Sequence, residues 1–526
     1  MTTSAVLENV GDARRERPAE SVDRGVRGSE IIVLALLVLG ILAFGLLVNS
    51  QDPLLGTDES IYAERVRDIS DGTTPGDFWE DLRAPGLSAF LWAVPYLGDS
   101  ADGMRFGVMI TAALGVVVTW AFARELAGRR VALVAAALLG LAPGYVRWSS
   151  YVWPDTPGAV LSLAAVTVFA YASRGGKVRA FAFWAIPIAV LATYTRFGSP
   201  IPIAVGCTVL ALSRWRAVRA SIGLVAGLAV GMAASMAPIL LVPQFTGATE
   251  SPITSIYDVP DKGLPWYQSF TDFARDLPDY LGASSPSKPT LLLGWLFFLF
   301  VSAGIAVGVA RAIRLRETRE AVIVPLAIAA LLLLVLAAGI DHGEGRYLTP
   351  AVPYVLVGAA PGIVYLGTRV SRQVAVVAIA AGVILGVANL VAVVDHDTDG
   401  RTDPLGHGVA SQAGETLDAT LDVDCVVVTN FAGPQISYYS GCTTFVFPQA
   451  SSEDRALEAL DQMISDHPES AIAILIERAE GEPIPTASRL REHLGQDGED
   501  LGLTDTTGDG AMEVYLLGAG RTRGES

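Results

Sequence analysis

Lysine is nearly absent from this chain. Of 37 basic residues only Lys177, Lys262 and Lys288 are lysines, and charged residues of both signs make up 17% of 526 positions. A chain this poor in charge and 51% hydrophobic is not composed like an ordinary soluble protein. It has no GxGxxG loop, so the usual dinucleotide-binding turn is missing. It has no repeat of fixed period, which excludes solenoids and propellers. No small-residue cleavage site follows the first apolar run, so no removable leader is expected. With a formal net charge of −17, no nucleic-acid partner is expected either.

Long apolar runs are what the chain has in quantity, and its mean hydropathy is +0.44. Runs long enough to span a bilayer cover 31–48, 103–123, 131–147, 156–172, 178–194, 197–213, 220–242, 291–311, 321–340, 349–367 and 373–394. The fold class read from this pattern is a polytopic α-helical membrane protein of about 11 transmembrane helices. Arginines cluster in alternate short loops: Arg124/Arg129/Arg130, Arg174/Arg179, Arg214/Arg216/Arg219, Arg311/Arg314/Arg316/Arg319 and Arg369/Arg372. The positive-inside rule makes these loops cytoplasmic. An apolar stretch at 84–98 would invert that parity if it crossed. Pro85, Gly86 and Pro95 interrupt it, so it is expected to lie along the outer interface.

The expected organisation is then a cytoplasmic tail (1–29), a transmembrane catalytic domain (30–395) with external loops 49–102 and 243–290, and an extracytoplasmic α/β domain (396–526). The localisation is the cell membrane, multi-pass, with the N-terminus inside and the C-terminal domain outside. In that last part Val426–Thr429, Thr444–Phe447, Ala471–Ile476 and Met512–Leu517 read as buried strands, with helices at 433–440, 452–465 and 485–494. Cys425 and Cys442 lie there, and outside a cell they could form a disulfide. Cys207 sits in an apolar run as a small core residue.

The unusual polar residues all fall in the loops assigned to the outer face. Asp58 and Glu59 follow the first span in Asp58-Glu59-Ser60-Ile61-Tyr62-Ala63. A carboxylate at the mouth of a helix bundle can take a proton from an acceptor; it can equally cap the next helix. Arg83 opens the interfacial stretch and can meet a lipid phosphate or snorkel to the interface. Asp155, in Trp153-Pro154-Asp155, brings a second carboxylate to the same face and also suits a helix cap. Arg196 is the sole basic residue of a tight outer turn and needs either a phosphate or a loop carboxylate beside it. In Asp341-His342-Gly343-Glu344-Gly345-Arg346-Tyr347, the types at Asp341, His342 and Glu344 could hold a divalent metal ion or simply form a polar turn. Arg346, abutting the next helix, is a further phosphate candidate.

In order and sidedness these motifs resemble the GT-C superfamily of membrane glycosyltransferases. The likeness is to the branch of protein O-mannosyltransferases and lipid A aminoarabinose transferases. Asp58–Ala63 resembles that branch's Asp-Glu-x-x-Tyr-Ala, Arg83-Ala84-Pro85 its Lys-Pro-Pro, Gly128-Arg129-Arg130 its inner Gly-Arg-Arg turn, and Trp153-Pro154-Asp155 its Arg-Pro-Asp. Thr195-Arg196 and Arg346–Pro350 resemble its Thr-Lys/Arg turn and Arg-Tyr-Leu-x-Pro. Arg83, Ala84 and Trp153 depart from the pattern. The resemblance covers roughly residues 30–395. It implies transfer of a sugar from a polyprenyl-phosphate donor to a lipid, glycan or protein acceptor at the outer face. The catalytic carboxylates would be Asp58, Glu59 and Asp155. Arg83, Arg196 and Arg346 would bind the donor phosphate, and Tyr62, His342, Glu344 and Tyr347 the substrates. Two other classes fit the composition. A lipid or polysaccharide transporter would place charges at mid-membrane on broken helices. A non-catalytic cell-envelope protein would use these polar residues only as caps.

Overall fold

The structure, a computed structural model, describes residues 26–51, 57–70, 84–94, 97–98, 100–174, 178–215, 288–339, 345–369, 425–429, 433–446, 471–477, 499–500 and 512–517, with isolated positions between them. Among the described residues, twelve α-helices precede the sheet: α1 (Gly28–Gln51), α2 (Thr57–Ser70), α3 (Gly86–Ala93), α4 (Ala101–Ala127), α5 (Arg129–Gly140), α6 (Pro143–Trp148), α7 (Asp155–Arg174), α8 (Val178–Thr195), α9 (Pro200–Ser213), α10 (Lys288–Arg314), α11 (Arg319–Gly339) and α12 (Val352–Arg369). Among the described residues, five helices are long and apolar enough to cross a membrane: α1, α4, α7, α10 and α11. Trp184–Thr195 and Pro200–Ser213 are shorter apolar segments. The protein is therefore a multi-pass membrane protein. Its lipid-facing character shows on α1, where Ile32, Leu36 and Leu39 are each more than 60% exposed.

The centre of the bundle is α4, which packs on α1, α5, α7, α11 and α12. Ser100 caps it by accepting a hydrogen bond from the Gly103 amide at 3.1 Å. Gly128 ends it and starts α5 at φ +83°, a conformation that glycine adopts without steric cost. Phe122 meets Tyr354 edge to face at 5.4 Å, tying α4 to α12. Helices α10 and α12 approach through small residues: a Cβ at Gly362 would collide with the Gly304 carbonyl.

The apolar run 131–147 is not one helix. It breaks at Leu141–Ala142, with Ala142 extended at ψ 112° ahead of Pro143. Proline has no N–H for the carbonyl one turn back and disfavours helical backbone in the residue before it. The break turns α6 into the polar end of the bundle. The stretch 84–98 contains only the eight-residue α3, far too short to span.

Ion pairs divide the bundle into two polar ends. At one end Arg129 meets Glu30 at 2.5 Å, and Arg214 pairs with Glu320 and approaches Glu125 at 3.8 Å. Arg214 also donates to the Ala170 carbonyl and the Ser173 hydroxyl. The other end holds α2, α3, α6 and the α8–α9 turn. A small apolar cluster of Leu55, Val66, Leu87, Leu91, Met104 and Val152 underlies it.

The C-terminal strands β1 (Cys425–Thr429), β2 (Thr443–Val446), β3 (Ala471–Glu477), β4 (Glu499–Asp500) and β5 (Met512–Leu517) form one sheet in the order β2-β1-β3-β5-β4. β1 pairs in parallel with β2 and β3, and β5 runs antiparallel to β3. Helix α13 (Gly433–Ser440) forms the crossover from β1 to β2. Cys425 and Cys442 are joined in a disulfide with Cα atoms 4.8 Å apart. α13 also docks on α2: Arg67 Nη1 donates to the Tyr438 carbonyl at 3.2 Å, and the Leu55 amide donates to the Tyr439 hydroxyl at 2.9 Å. The predicted helices at 452–465 and 485–494 and the apolar runs at 220–242 and 373–394 fall largely outside the described residues.

The second polar end rests on one buried pair. Arg105 and Glu59 side chains are 1% and 2% exposed and joined by two hydrogen bonds. Truncating one partner leaves a charge buried without its counter-ion, a loss of about 3–5 kcal/mol. Arg105→Ala should therefore lower the thermal melting point sharply in detergent, whereas Arg316→Ala, at an exposed position, should leave it within a degree or two. Equal melting points for the two variants would contradict this assignment.

Candidate active site

Glu59 Oε1 accepts from Arg105 Nε at 2.9 Å and from the Val152 amide at 2.8 Å, while Oε2 accepts from Arg105 Nη2 at 2.7 Å. One carboxylate thereby joins the first turn of α2, the second turn of α4 and the loop after α6. Glu59, expected as a catalytic carboxylate, is placed as a buried, hydrogen-bonded group that ties these segments together. Asp58 precedes it in the first turn of α2, its side chain outside the described residues. Tyr62, expected at a substrate surface, is 6% exposed and belongs to the apolar cluster beneath the site. Its carbonyl accepts from the Ser88 hydroxyl, which fastens α3 to α2.

The loop held at Val152 continues into an aromatic cluster. The Trp153 ring stacks on Tyr151 at 4.6 Å and an interplanar angle of 10°, and on Trp148 at 5.3 Å. Arg346 lies over Trp153, its Cζ 4.4 Å from the ring, and 5.3 Å from the Tyr347 ring. Arg196 approaches the same Tyr347 ring at 5.5 Å. Two guanidinium groups thus approach one aromatic ring, a cation–π arrangement that helps orient both. Arg346 sits in the single 3-10 turn Gly345–Leu348, which Thr349 closes by donating to the Arg346 carbonyl at 2.7 Å.

Arg196 Nη2 also meets Asp155 Oδ1 at 2.8 Å. Asp155 is a loop carboxylate, one of the two kinds of partner expected for Arg196. Asp155 is the first residue of α7 and is 5% exposed. Gly158, one turn on, makes room: a Cβ there would stand 2.8 Å from the Arg196 Cβ. Tyr280 completes the wall, donating to the Thr349 hydroxyl at 3.1 Å. Burial pushes its phenol well above the ordinary range, with Asp155 adding to the rise, so it remains a neutral donor.

Arg83, His342 and Glu344 lie outside the described residues. Among the described residues, no group of three His, Cys, Asp or Glu is placed to hold a metal ion. An open apolar groove of about 1020 Å³ runs between α3 and α8 beside this end, lined by Phe90, Pro187, Leu191 and Tyr194. Sequence reasoning missed Arg105, the Trp148 and Tyr151 rings on which Trp153 stacks, and Tyr280. Arg105 had a signal: it is a lone charge near the start of an apolar run, and such a charge needs a partner. The aromatic cluster had none, because its contacts depend on how α6 and the following loop fold back.

Comparison with known proteins fits this geometry. Residues 82–241 match the sequence profile of the family described as dolichyl-phosphate-mannose-protein mannosyltransferase. Among curated proteins none matches the chain. In fold, the chain is similar to ArnT from Cupriavidus metallidurans bound to undecaprenyl phosphate, with a TM-score of 0.62 over 93% of this chain and 98% of that one, at 13% identity. The apo state of the same enzyme gives 0.59 at 14% identity, over the same shares of the two chains. The archaeal oligosaccharyltransferase AglB from Archaeoglobus fulgidus, in complex with an inhibitory peptide and a dolichol-phosphate, gives 0.51 over 86% of this chain and 69% of that one, at 12% identity. The GT-C likeness read from the motifs is thus borne out by the family match and the fold.

Proposed function

We infer that this chain is a GT-C membrane glycosyltransferase, moving a sugar from a polyprenyl-phosphate-linked donor to an acceptor at the outer face of the membrane. The observation that carries this reading is the gathering of Asp155, Arg196 and Arg346 at one end of the bundle, on elements tied by Glu59 to the helix that bears Asp58. The gathering of charge at one end also weighs against the transporter alternative, which needs charge near the midplane. The family match over residues 82–241 supports the same class of donor.

In the proposed reaction an acceptor hydroxyl or amide attacks the anomeric carbon. The bond from that carbon to the phosphate oxygen breaks, its electron pair remains on the phosphate, and the acceptor proton passes to the Asp58 carboxylate. Single displacement inverts the anomeric centre. The leaving phosphate gains charge in the transition state, so a fixed guanidinium beside it accelerates the step. Arg346 is assigned that role, because the Gly345–Leu348 turn holds its guanidinium over the Trp153 ring at the same end as Asp155. Arg83 would add a third cation at the membrane interface. The polyprenyl chain, being apolar, suits the groove between α3 and α8. The acceptor class, lipid, glycan or protein, is for assay to decide.

The test is incubation of the purified protein with a panel of radiolabelled polyprenyl-phosphate sugars, following label release from the carrier. Asp58→Asn should retain donor binding and lose about 10²–10⁴-fold in turnover. Turnover close to wild type would assign Asp58 to helix capping. Consumption of no donor in the panel would oppose the transferase reading itself.

Arg346→Ala should raise donor KM by about 10- to 150-fold, the loss of one charge-assisted hydrogen bond of roughly 1.5–3 kcal/mol. Arg196→Ala should chiefly lower the melting point, since it strips Asp155 of its partner. Normal donor kinetics in Arg346→Ala would remove the phosphate assignment.

We also propose eleven spans with an external 396–526 domain built on the five-stranded sheet, and a cytoplasmic residue 1–29 tail. The basic loops support this orientation. The disulfide at Cys425–Cys442 agrees with an oxidising compartment. Membrane-impermeant labelling of intact cells should modify a cysteine introduced at position 99 or 500 and spare one at 130. The reverse pattern would invert the orientation.

A further inference from the structure

We propose a second anion site, at the end of the bundle opposite Asp155, that binds the phosphate headgroup of an anionic phospholipid. A cavity of about 380 Å³ opens there between the end of α4, the start of α5 and the ends of α10 and α12. Arg311 lines it, half-buried, with its Cζ 3.9 Å from the Tyr365 ring centre. Arg369, at the rim, approaches the same ring at 5.0 Å. Arg124 adds a third guanidinium, laid over Trp120 at 4.9 Å.

Arg311 and Arg369 differ from their neighbours. Arg129 and Arg214 at this end pair with Glu30 and Glu320, and Arg319 donates to the Ala312 and Ile313 carbonyls. Arg311 and Arg369 instead share one aromatic ring, and among the described residues neither forms an ion pair with a carboxylate. Two like charges held on one ring repel each other, and an anion between them relieves that repulsion. Glu125, the acidic residue in the lining, is approached by Arg214 at 3.8 Å. A phosphate matches the need, since planar guanidinium groups bind its oxygens through paired N–H donors.

The surroundings favour a lipid as the source of that phosphate. Ile313, Leu315 and Leu366, on the same helix ends and the adjoining residue, are 67%, 46% and 39% exposed, an apolar surface that acyl chains can cover. Helix α12 has its N-terminal end beside the Arg346 turn and its C-terminal end at this cavity. Its 18 residues separate the two sites by about 27 Å at 1.5 Å per residue. The site is thus distinct from the proposed donor site and does not depend on the transferase reading.

Native mass spectrometry of the delipidated full chain, titrated with phosphatidylglycerol or phosphatidylcholine, tests this. Wild type should bind phosphatidylglycerol in preference to phosphatidylcholine. The double variant Arg311→Gln/Arg369→Gln should bind phosphatidylglycerol about 10- to 100-fold more weakly. Arg316→Gln, which removes an exposed charge at the same end, should stay within about twofold of wild type. Arg311→Lys/Arg369→Lys, which keeps both charges and guards against a folding defect, should bind better than the double glutamine variant. Equal weakening in Arg316→Gln would reduce the effect to general surface charge and overturn the site. So would a folded double glutamine variant that binds phosphatidylglycerol as tightly as wild type. Saturable binding of inorganic phosphate alone, with no preference for phosphatidylglycerol, would overturn the lipid assignment.

Discussion

The polar end of this bundle depends on a carboxylate and a guanidinium buried together. Removing two charges from water costs several kcal/mol per ion, and a salt bridge recovers that only when its geometry is good and its spare lone pairs are used. Glu59 and Arg105 meet both conditions. The contact is bidentate, and the third acceptor position of the carboxylate is taken by the Val152 amide. An apolar pair of similar volume could stabilise the region as well. It could not fix three chain segments, at 59, 105 and 152, in one register. Position is what the pair supplies, and it supplies it to the residues next along each segment: Asp58 on one side, Trp153 and Asp155 on the other.

The same economy governs the whole bundle. Apolar helices cannot tolerate unpaired charge in their lipid-facing length, so charge is pushed to the two ends and paired there. At the one with Arg129 and Arg214, arginines meet glutamates from neighbouring helices and lock helix to helix. At the other end Arg105 pairs with Glu59 and Arg196 with Asp155, while Arg196 and Arg346 also approach the rings of Tyr347 and Trp153. An aromatic face orients a cation without cancelling its charge, so such a group keeps its attraction for a passing anion. Arg311 and Arg369 are likewise held on an aromatic ring, Tyr365, at the end where Arg129 and Arg214 meet glutamates.

Much of this was legible in the sequence because hydropathy and helix length are local properties. The runs at 103–123, 156–172, 291–311 and 321–340 became α4, α7, α10 and α11 with ends shifted by a few residues. Strand Met512–Leu517 and helix 433–440 fall where the sequence pattern put them. The run at 131–147 was misread as continuous because its hydropathy hides Pro143, whose backbone chemistry outweighs the pattern around it. Site residues were harder. Position in a loop between apolar helices was readable for Asp155, Arg196 and Arg346, but pairing was not. Glu59 and Asp58 are neighbours of the same chemical type, and no sequence pattern shows that Glu59 is buried and paired. Arg105 is 46 positions from Glu59, and no local pattern connects them.

The Arg196–Asp155 contact sharpens how such a site could work. Arg196 neutralises a 5% exposed carboxylate, so it cannot leave Asp155 without exposing that charge to an apolar wall. It need not leave. A guanidinium carries five N–H donors in a fixed plane, and the Asp155 contact uses Nη2 alone. A phosphate arriving on the Tyr347 side would meet Arg346 first and the remaining edge of Arg196 second. Asp155 would then oppose phosphate binding by repulsion while it holds Arg196 in place. The balance suits a leaving group that must be bound more tightly as it gains charge than before. A site made of unopposed arginines would bind the donor and the spent carrier alike and release neither. Tempering one arginine with a buried carboxylate leaves the net attraction modest in the ground state. Because attraction and repulsion both grow with phosphate charge, the transition state gains only through the closer cation, and in this arrangement that is Arg346.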